Sequence, residues 1–100
     1  MKLEKTFGET VKKLREDKQL PLREVAEALE IDTSMLGKIE KNSRKPTKEL
    51  IKKFAKFFKV NERDLTIAFL SDTVAYQVMN DEDFATEVLK VAEKKVKYLK

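Results

Sequence analysis

The chain has 100 residues, a length typical of one domain with a single modest core. It contains neither cysteine nor histidine, so disulfides, thiolate chemistry and the commonest zinc ligands are excluded. We therefore expect no bound metal, no cofactor and no enzymatic activity. The sequence shows no secretory signal and no apolar run of membrane-spanning length, which predicts a cytoplasmic protein that does not contact membranes.

The first predicted helix begins after Thr6. The segment Thr6-Phe7-Gly8-Glu9 has the form of a capping box, in which a threonine hydroxyl and a glutamate carboxylate each accept a backbone N–H. Phe7, Val11 and Leu14 then repeat at helical spacing, so we expect them to face a core.

Two short helices joined by a tight turn are predicted between residues 20 and 46. The apolar residues that repeat at helical spacing are Leu22, Val25, Ala26 and Leu29 before the turn, and Leu36 and Ile39 after it. Asp32 is predicted to be the N-cap of the second helix, with its carboxylate accepting N–H groups of the first turn.

The second short helix, residues 33–41, has an outward side that is small, polar and basic. This side carries Thr33, Ser34, Gly37, Lys38 and Lys41, whereas Leu36, Ile39 and Glu40 point inward. A helix with such a face, placed after a tight turn, is what a helix-turn-helix inserts into the major groove of DNA.

The segment VAEALEIDTSMLGKIEKNSRKP, residues 25–46, is similar to the signature of the phage-repressor and Cro-like family. This family, also called the xenobiotic-response-element (XRE) family, comprises helix-turn-helix transcriptional regulators. The residues in register with its pattern are Ala26, Leu29, Ile31, Leu36, Ile39, Glu40 and Pro46. The resemblance, over roughly residues 6 to 66, implies an all-α, lambda-repressor-like domain of about five helices that binds double-stranded DNA. It also implies that Arg15 pairs with Glu40, an arrangement favoured because a half-buried Glu40 would otherwise lack a partner.

Five residues of the second short helix are candidates for contact with DNA bases. Thr33 and Ser34 have short hydroxyls that tolerate several bases, and Lys38 can reach O6 and N7 of guanine. Met35 fits either a thymine methyl group or the edge of the core. Gly37 indicates either a close approach of DNA or an unselected surface position.

Candidates for phosphate contact lie on either side of this helix. They are Arg23, Lys41, Asn42, Ser43, Arg44, Lys45 and Lys48. Asn42 is also predicted to end the helix in the left-handed conformation. Leu22 departs from the family's pattern, which has a phosphate-binding glutamine there, and Arg23 is expected to compensate. Lys52, Lys53 and Lys56 are predicted to form a solvated face.

The rest of the chain is predicted to form three more helices. Thr47 caps the fourth, whose core face is Leu50, Ile51, Phe54, Ala55 and Phe58, and Asn61 caps a long fifth helix. The acidic run at residues 80–83 is predicted to cap a last amphipathic helix that carries its apolar pattern from Phe84 onward.

The predicted domains are a helix-turn-helix domain at residues 1–66 and a helical extension at residues 67–100. The extension is expected to form a hairpin of the last helix with the fifth, packed on the same domain. The extension is more apolar than one DNA-binding domain requires. In addition, one recognition helix reads only a few base pairs. For both reasons we predict a homodimer. The predicted dimer interface is Ile67, Leu70, Val74, Val78, Val88 and Leu89.

Two functions from different classes follow from these features. The first is a sequence-specific DNA-binding repressor or autoregulator that acts as a dimer through the major groove. The alternative is an antitoxin or an adaptor that reuses the fold to bind a protein partner. The features that favour this alternative are Leu22, Gly37 and the helical extension.

Overall fold

The computed structural model describes residues 5–100, which contain six helices and no strand. The helices are α1 (Phe7–Asp17), α2 (Leu22–Leu29), α3 (Thr33–Glu40), α4 (Lys48–Phe58), α5 (Glu62–Val78) and α6 (Glu82–Leu99). The predicted all-α fold is confirmed, and α5 is one uninterrupted helix. None of these six helices of residues 5–100 combines the length and hydropathy of a membrane span.

The chain divides into two compact units, and the division falls inside α5. The first unit ends at Leu70, and the second spans Ser71–Lys100. The division lies a turn beyond the predicted boundary at residue 66.

The core of the first unit is built from the apolar faces that the periodicity predicted. The buried apolar residues are Phe7, Val11, Val25, Ala26, Leu29, Leu36, Ile39, Leu50, Ile51, Phe54, Ala55, Phe58, Leu65 and Ala68. The Phe7 ring meets Phe54 edge-on at 5.7 Å and Phe69 at 6.0 Å between ring centroids. Around this core, α3 packs on α1 and α2, and α4 packs on the same two helices.

Three of the predicted helix caps are present. The Thr6 hydroxyl accepts from the Glu9 N–H at 3.1 Å and the Glu9 carboxylate accepts from the Thr6 N–H at 3.1 Å, which completes the capping box. The backbone and hydroxyl hydrogen bonds from Thr6 lower the pKa of Glu9. Thr47 accepts from the Leu50 N–H, and Asn61 accepts from the Arg63 N–H.

In the acidic run at residues 80–83, Glu82 and Asp83 lie in the first turn of α6 as expected. Side-chain caps are absent, however, at Asp32, where one was predicted, and at Asp81 within that run. Both residues occupy the N-cap position, but neither carboxylate accepts a backbone hydrogen bond. Both are exposed and keep their hydration, so little is lost when the bond is not made. Asp81 also departs from the extended backbone that a cap requires, with φ −117° and ψ 50°.

The four short helices α1 to α4 end without glycine. Each is followed by a residue in the left-handed region: Gln19, Glu30, Asn42 and Lys59, with φ between 55° and 63°. After α3, the Asn42 N–H donates to the Ile39 carbonyl and the Ser43 N–H to the Lys38 carbonyl, the two bonds of a Schellman ending. The left-handed conformation predicted for Asn42 is confirmed, whereas the other three were not foreseen.

Candidate nucleic-acid interface

The inward side of α3 fixes the orientation of its outward side. Leu36 and Ile39 are buried, and Glu40 is 7% exposed. Arg15 donates from Nε to Glu40 Oε2 at 2.8 Å, from Nη2 to Oε1 at 3.0 Å, and from Nη1 to the Leu20 carbonyl at 2.8 Å. The pairing confirms the arrangement implied by the family resemblance. The hydrogen bonds to Glu40 raise the pKa of the Arg15 guanidinium, so the guanidinium stays charged.

A second contact ties the end of α3 to the start of α1. Asn42 Oδ1 accepts from the Gly8 N–H at 3.0 Å, and Asn42 Nδ2 donates to Thr6 Oγ1 at 2.9 Å. The backbones approach so closely that a Cβ at position 8 would lie 2.5 Å from the Ile39 carbonyl oxygen. Sequence reasoning missed this contact, although a glycine in the first turn of a helix is a signal of close packing.

The outward side of α3 is open to solvent in the part of the chain described. Thr33, Ser34 and Lys38 are exposed, whereas Met35 and Gly37 are half-buried. Met35 packs against the edge of the core, which gives it a structural contact in the free protein. By contrast, nothing lies within 4 Å of the position a Cβ would take at Gly37, so the fold does not require glycine there.

A basic surface follows α3 along the loop into α4. Its cations are Lys38, Lys41, Arg44, Lys45 and Lys48, all exposed. None of the five forms an ion pair with any of residues 5–100. Their charges are therefore not neutralised by the described protein and are available to a polyanion.

The two polar residues between these cations already have partners within the protein. The amide of Asn42 binds α1 as described above. The Ser43 N–H and hydroxyl both donate to the Lys38 carbonyl, at 2.9 Å and 3.2 Å. In the free protein both residues therefore shape the end of α3.

The start of α2 lacks a side-chain cap, because its N-cap residue is Pro21, which has no polar side chain. At position 22 the family's pattern has a polar residue. Leu22 is instead half-buried there and packs against the core. Arg23 is exposed and lines a shallow depression with Pro21, Glu24 and Glu27.

One lysine of the predicted solvated face has a structural contact. Lys52 and Lys56 are exposed, as expected. Lys53 is half-buried, and its ammonium donates to the Leu29 carbonyl and to Glu30 Oε1, each at 3.4 Å. The Lys53 side chain is therefore still partly solvated, at 42% exposed, while its cation also contacts the carbonyl end of α2.

The residues predicted for a dimer interface have exposed apolar side chains, with one exception. The exposed fractions are 37% for Ile67, 53% for Leu70, 47% for Val74, 44% for Val88 and 43% for Leu89. Val78 is half-buried.

A short helix with an open basic face, held across a tight turn against a helical core, defines a helix-turn-helix DNA-binding domain. Residues 11–65 match a family model described as helix-turn-helix. The chain belongs to the XRE-type helix-turn-helix family of DNA-binding transcription regulators, whose members are normally not enzymes.

One solved structure similar to the chain is the high-resolution crystal structure of the restriction-modification controller protein C.AhdI from Aeromonas hydrophila. The two are 29% identical with a TM-score of 0.55, and the match covers 59% of this chain and 89% of that one. No curated protein sequence matches the chain significantly.

Proposed function

We propose that the chain is a sequence-specific repressor or autoregulator that binds the major groove of its operator as a homodimer in the cytoplasm. The observation that carries this proposal is the open face of α3, bordered by exposed cations that form no ion pair with residues 5–100. The likeness to a restriction-modification controller protein supports a role in controlling transcription. Occupancy of the operator is the whole mechanism, so no catalytic step and no cofactor are involved.

Base recognition is assigned to the open face of α3. The proposed base-contacting residues are Thr33, Ser34, Met35, Gly37 and Lys38. Lys38 carries most of the discrimination, because its ammonium reaches the paired acceptors of guanine, whereas the hydroxyls accept several bases.

Phosphate contacts are assigned to the residues around that face. They are Arg23, Lys41, Asn42, Ser43, Arg44, Lys45 and Lys48. The cations neutralise phosphates and release counterions, so affinity falls steeply with salt. Asn42 and Ser43 contribute mainly by holding the end of α3 in place, since their polar groups already have partners.

Dimerisation is assigned to Ile67, Leu70, Val74, Val78, Val88 and Leu89. Exposed apolar side chains in such numbers on α5 and α6 are typical of an interface. A symmetric dimer presents two α3 helices to half-sites about one DNA turn apart, which multiplies the few base pairs that one helix reads.

The test is a binding titration on the DNA upstream of the protein's own gene and on scrambled DNA, at two salt concentrations. We expect the wild type to prefer its own site by at least about a hundredfold. Lys38→Ala should remove about tenfold or more of that preference. Lys12→Ala is the matched control, because it removes the same charge from an exposed position on α1.

Arg44→Ala distinguishes a phosphate contact from base recognition. It should weaken binding to both DNAs by a similar factor and reduce the slope of log affinity against log salt by about one. Equal affinity of the wild type for both DNAs would overturn the regulator proposal.

A protein-binding role is the second candidate, favoured by the exposed apolar side chains of α6. An antitoxin or adaptor would co-purify with a stoichiometric partner and show no preference for its own upstream DNA. The same titration therefore separates the two functions.

A further inference from the structure

The α6 helix exposes a broad apolar face. The exposed large apolar residues of α6 are Phe84, Val88, Leu89, Val91, Val96, Tyr98 and Leu99, with exposed fractions from 43% to 87%. No residue of α6 is buried. Exposed apolar area on this scale is typical of a surface that a partner covers. The family model ends at residue 65, so α6 is a feature of this chain beyond the shared domain.

One edge of this face is a stripe with seven-residue spacing. Phe84, Val91 and Tyr98 are 62%, 46% and 87% exposed, and successive members lie about two helical turns apart. Residues repeating every seven positions lie on one line along a helix, the pattern with which two helices pack against each other. A shallow groove beside the stripe is lined by Phe84, Glu87, Val88, Val91, Ala92 and Lys95.

The charges that border the stripe change sign along its length. Glu87 and Lys94 are also seven residues apart, so they lie along the same border of the stripe. Glu87 lies between Phe84 and Val91, and Lys94 lies between Val91 and Tyr98. Neither forms an ion pair within residues 5–100.

We propose that the α6 helices of two copies of this chain pair antiparallel, with Val91 at the two-fold axis. This inference rests on the proposed homodimer and places its α6 contact on the stripe and the adjacent Val88; Leu89 lies about 160° around the helix from Val91 and is outside this contact. Val91 then meets Val91 of the second copy, and Phe84 meets the second copy's Tyr98. Each Glu87 lies opposite a Lys94 on the same side, which gives two symmetric ion pairs.

The charges select this arrangement over the alternatives. In a parallel pair the two-fold axis runs along the helices, so Glu87 and its copy lie on opposite borders of the stripe and no Glu87–Lys94 pair forms. An anionic lipid surface suits a uniformly basic polar face, whereas α6 begins with Glu82 and Asp83. A second copy is the occupant that matches both the stripe and its charges.

Disulfide cross-linking tests the orientation, since the native chain has no cysteine. Val91→Cys should form a disulfide-linked dimer under oxidation, because the two α-carbons come within bonding range. Phe84→Cys alone and Tyr98→Cys alone should not cross-link, since each lies about 20 Å from its copy. An equimolar mixture of these two variants should form the mixed disulfide.

Three outcomes overturn the proposal or its basis, and they are distinguishable. Self-linking of Phe84→Cys indicates parallel pairing. A wild type that sediments as a dimer while Val91→Cys does not cross-link places the interface elsewhere. A wild type that sediments as a monomer at micromolar concentration overturns the proposed homodimer as well. Specific DNA binding is measured separately and can survive any of these results.

Charge reversal provides an independent test that leaves the apolar face intact. Glu87→Lys or Lys94→Glu should each raise the dimer Kd about tenfold, because both symmetric pairs become repulsive. The double variant should return Kd close to the wild-type value. Glu93→Lys is the matched control, since Glu93 pairs with Lys97 away from the stripe. Failure of the double variant to recover would contradict the antiparallel register.

Discussion

Arg15 and Glu40 form a two-point ion pair across a separation of 25 residues, with Nε–Oε2 at 2.8 Å and Nη2–Oε1 at 3.0 Å. The side chains are only 13% and 5% exposed, so water does not replace either partner. The pair joins α1 to the inward side of α3. It thereby sets the rotation of α3 about its own axis, and with it the direction of the open face.

Glu40→Ala is therefore expected to lower the free energy of unfolding by about 3 kcal/mol, because it leaves a mostly buried guanidinium without its carboxylate. The measurement is the urea midpoint with an unchanged m-value. Lys13→Ala breaks an exposed pair with Asp17 on α1 and should change the midpoint little. Equal effects of the two variants would contradict this account.

Gly8→Ala is expected to destabilise the fold by about 2 kcal/mol or more. The added methyl would lie 2.5 Å from the Ile39 carbonyl oxygen and 2.6 Å from that of Glu40, and neither backbone atom can move without shifting α3. Thermal unfolding and urea unfolding both report the loss. Wild-type stability in the variant would show that the two backbones do not approach this closely.

Lys59→Gly is expected to stabilise the fold by about 1 kcal/mol. Lys59 ends α4 with φ 56°, a conformation that is unfavourable for a side chain and free for glycine. Lys56→Gly removes the same side chain from the last turn of α4 and should destabilise by about 1 kcal/mol. Opposite shifts of the melting temperature in the two variants would establish the conformational cause. A loss of stability in both would refute it.

Periodicity and capping chemistry predicted most of the first unit, because both are local. Helices α1 to α4, the start of α5, the capping box at Thr6 and the buried faces follow from residues within four positions of each other. The contact of Asn42 with Gly8 joins residues 34 positions apart, and no local pattern encodes it. The left-handed ends at Gln19 and Glu30 were missed because neither residue type favours that conformation.

The outward side of α3 was predicted correctly because it is the complement of the buried side. Burial of Leu36 and Ile39 leaves Ser34 and Lys38 facing solvent, whatever the rest of the chain does. What each residue contacts on DNA is not a property of the free protein and stays a prediction. The dimer interface likewise stays a prediction. Exposed apolar residues show that a surface is available for contact, and the cross-linking experiment shows what binds it.

Gly37→Ala separates the demands of the fold from those of DNA. In the free protein the new methyl meets nothing within 4 Å, and alanine favours a helix over glycine, so the variant should gain about 1 kcal/mol of stability. If DNA comes close to Gly37, the same variant should bind its own operator at least about tenfold more weakly. Urea unfolding and the operator titration, performed on one preparation, give both numbers. Ser34→Ala is the control for loss of a neighbouring polar contact without added bulk. Undiminished operator affinity in Gly37→Ala would remove Gly37 from the base-contacting set and leave it as an unselected surface position.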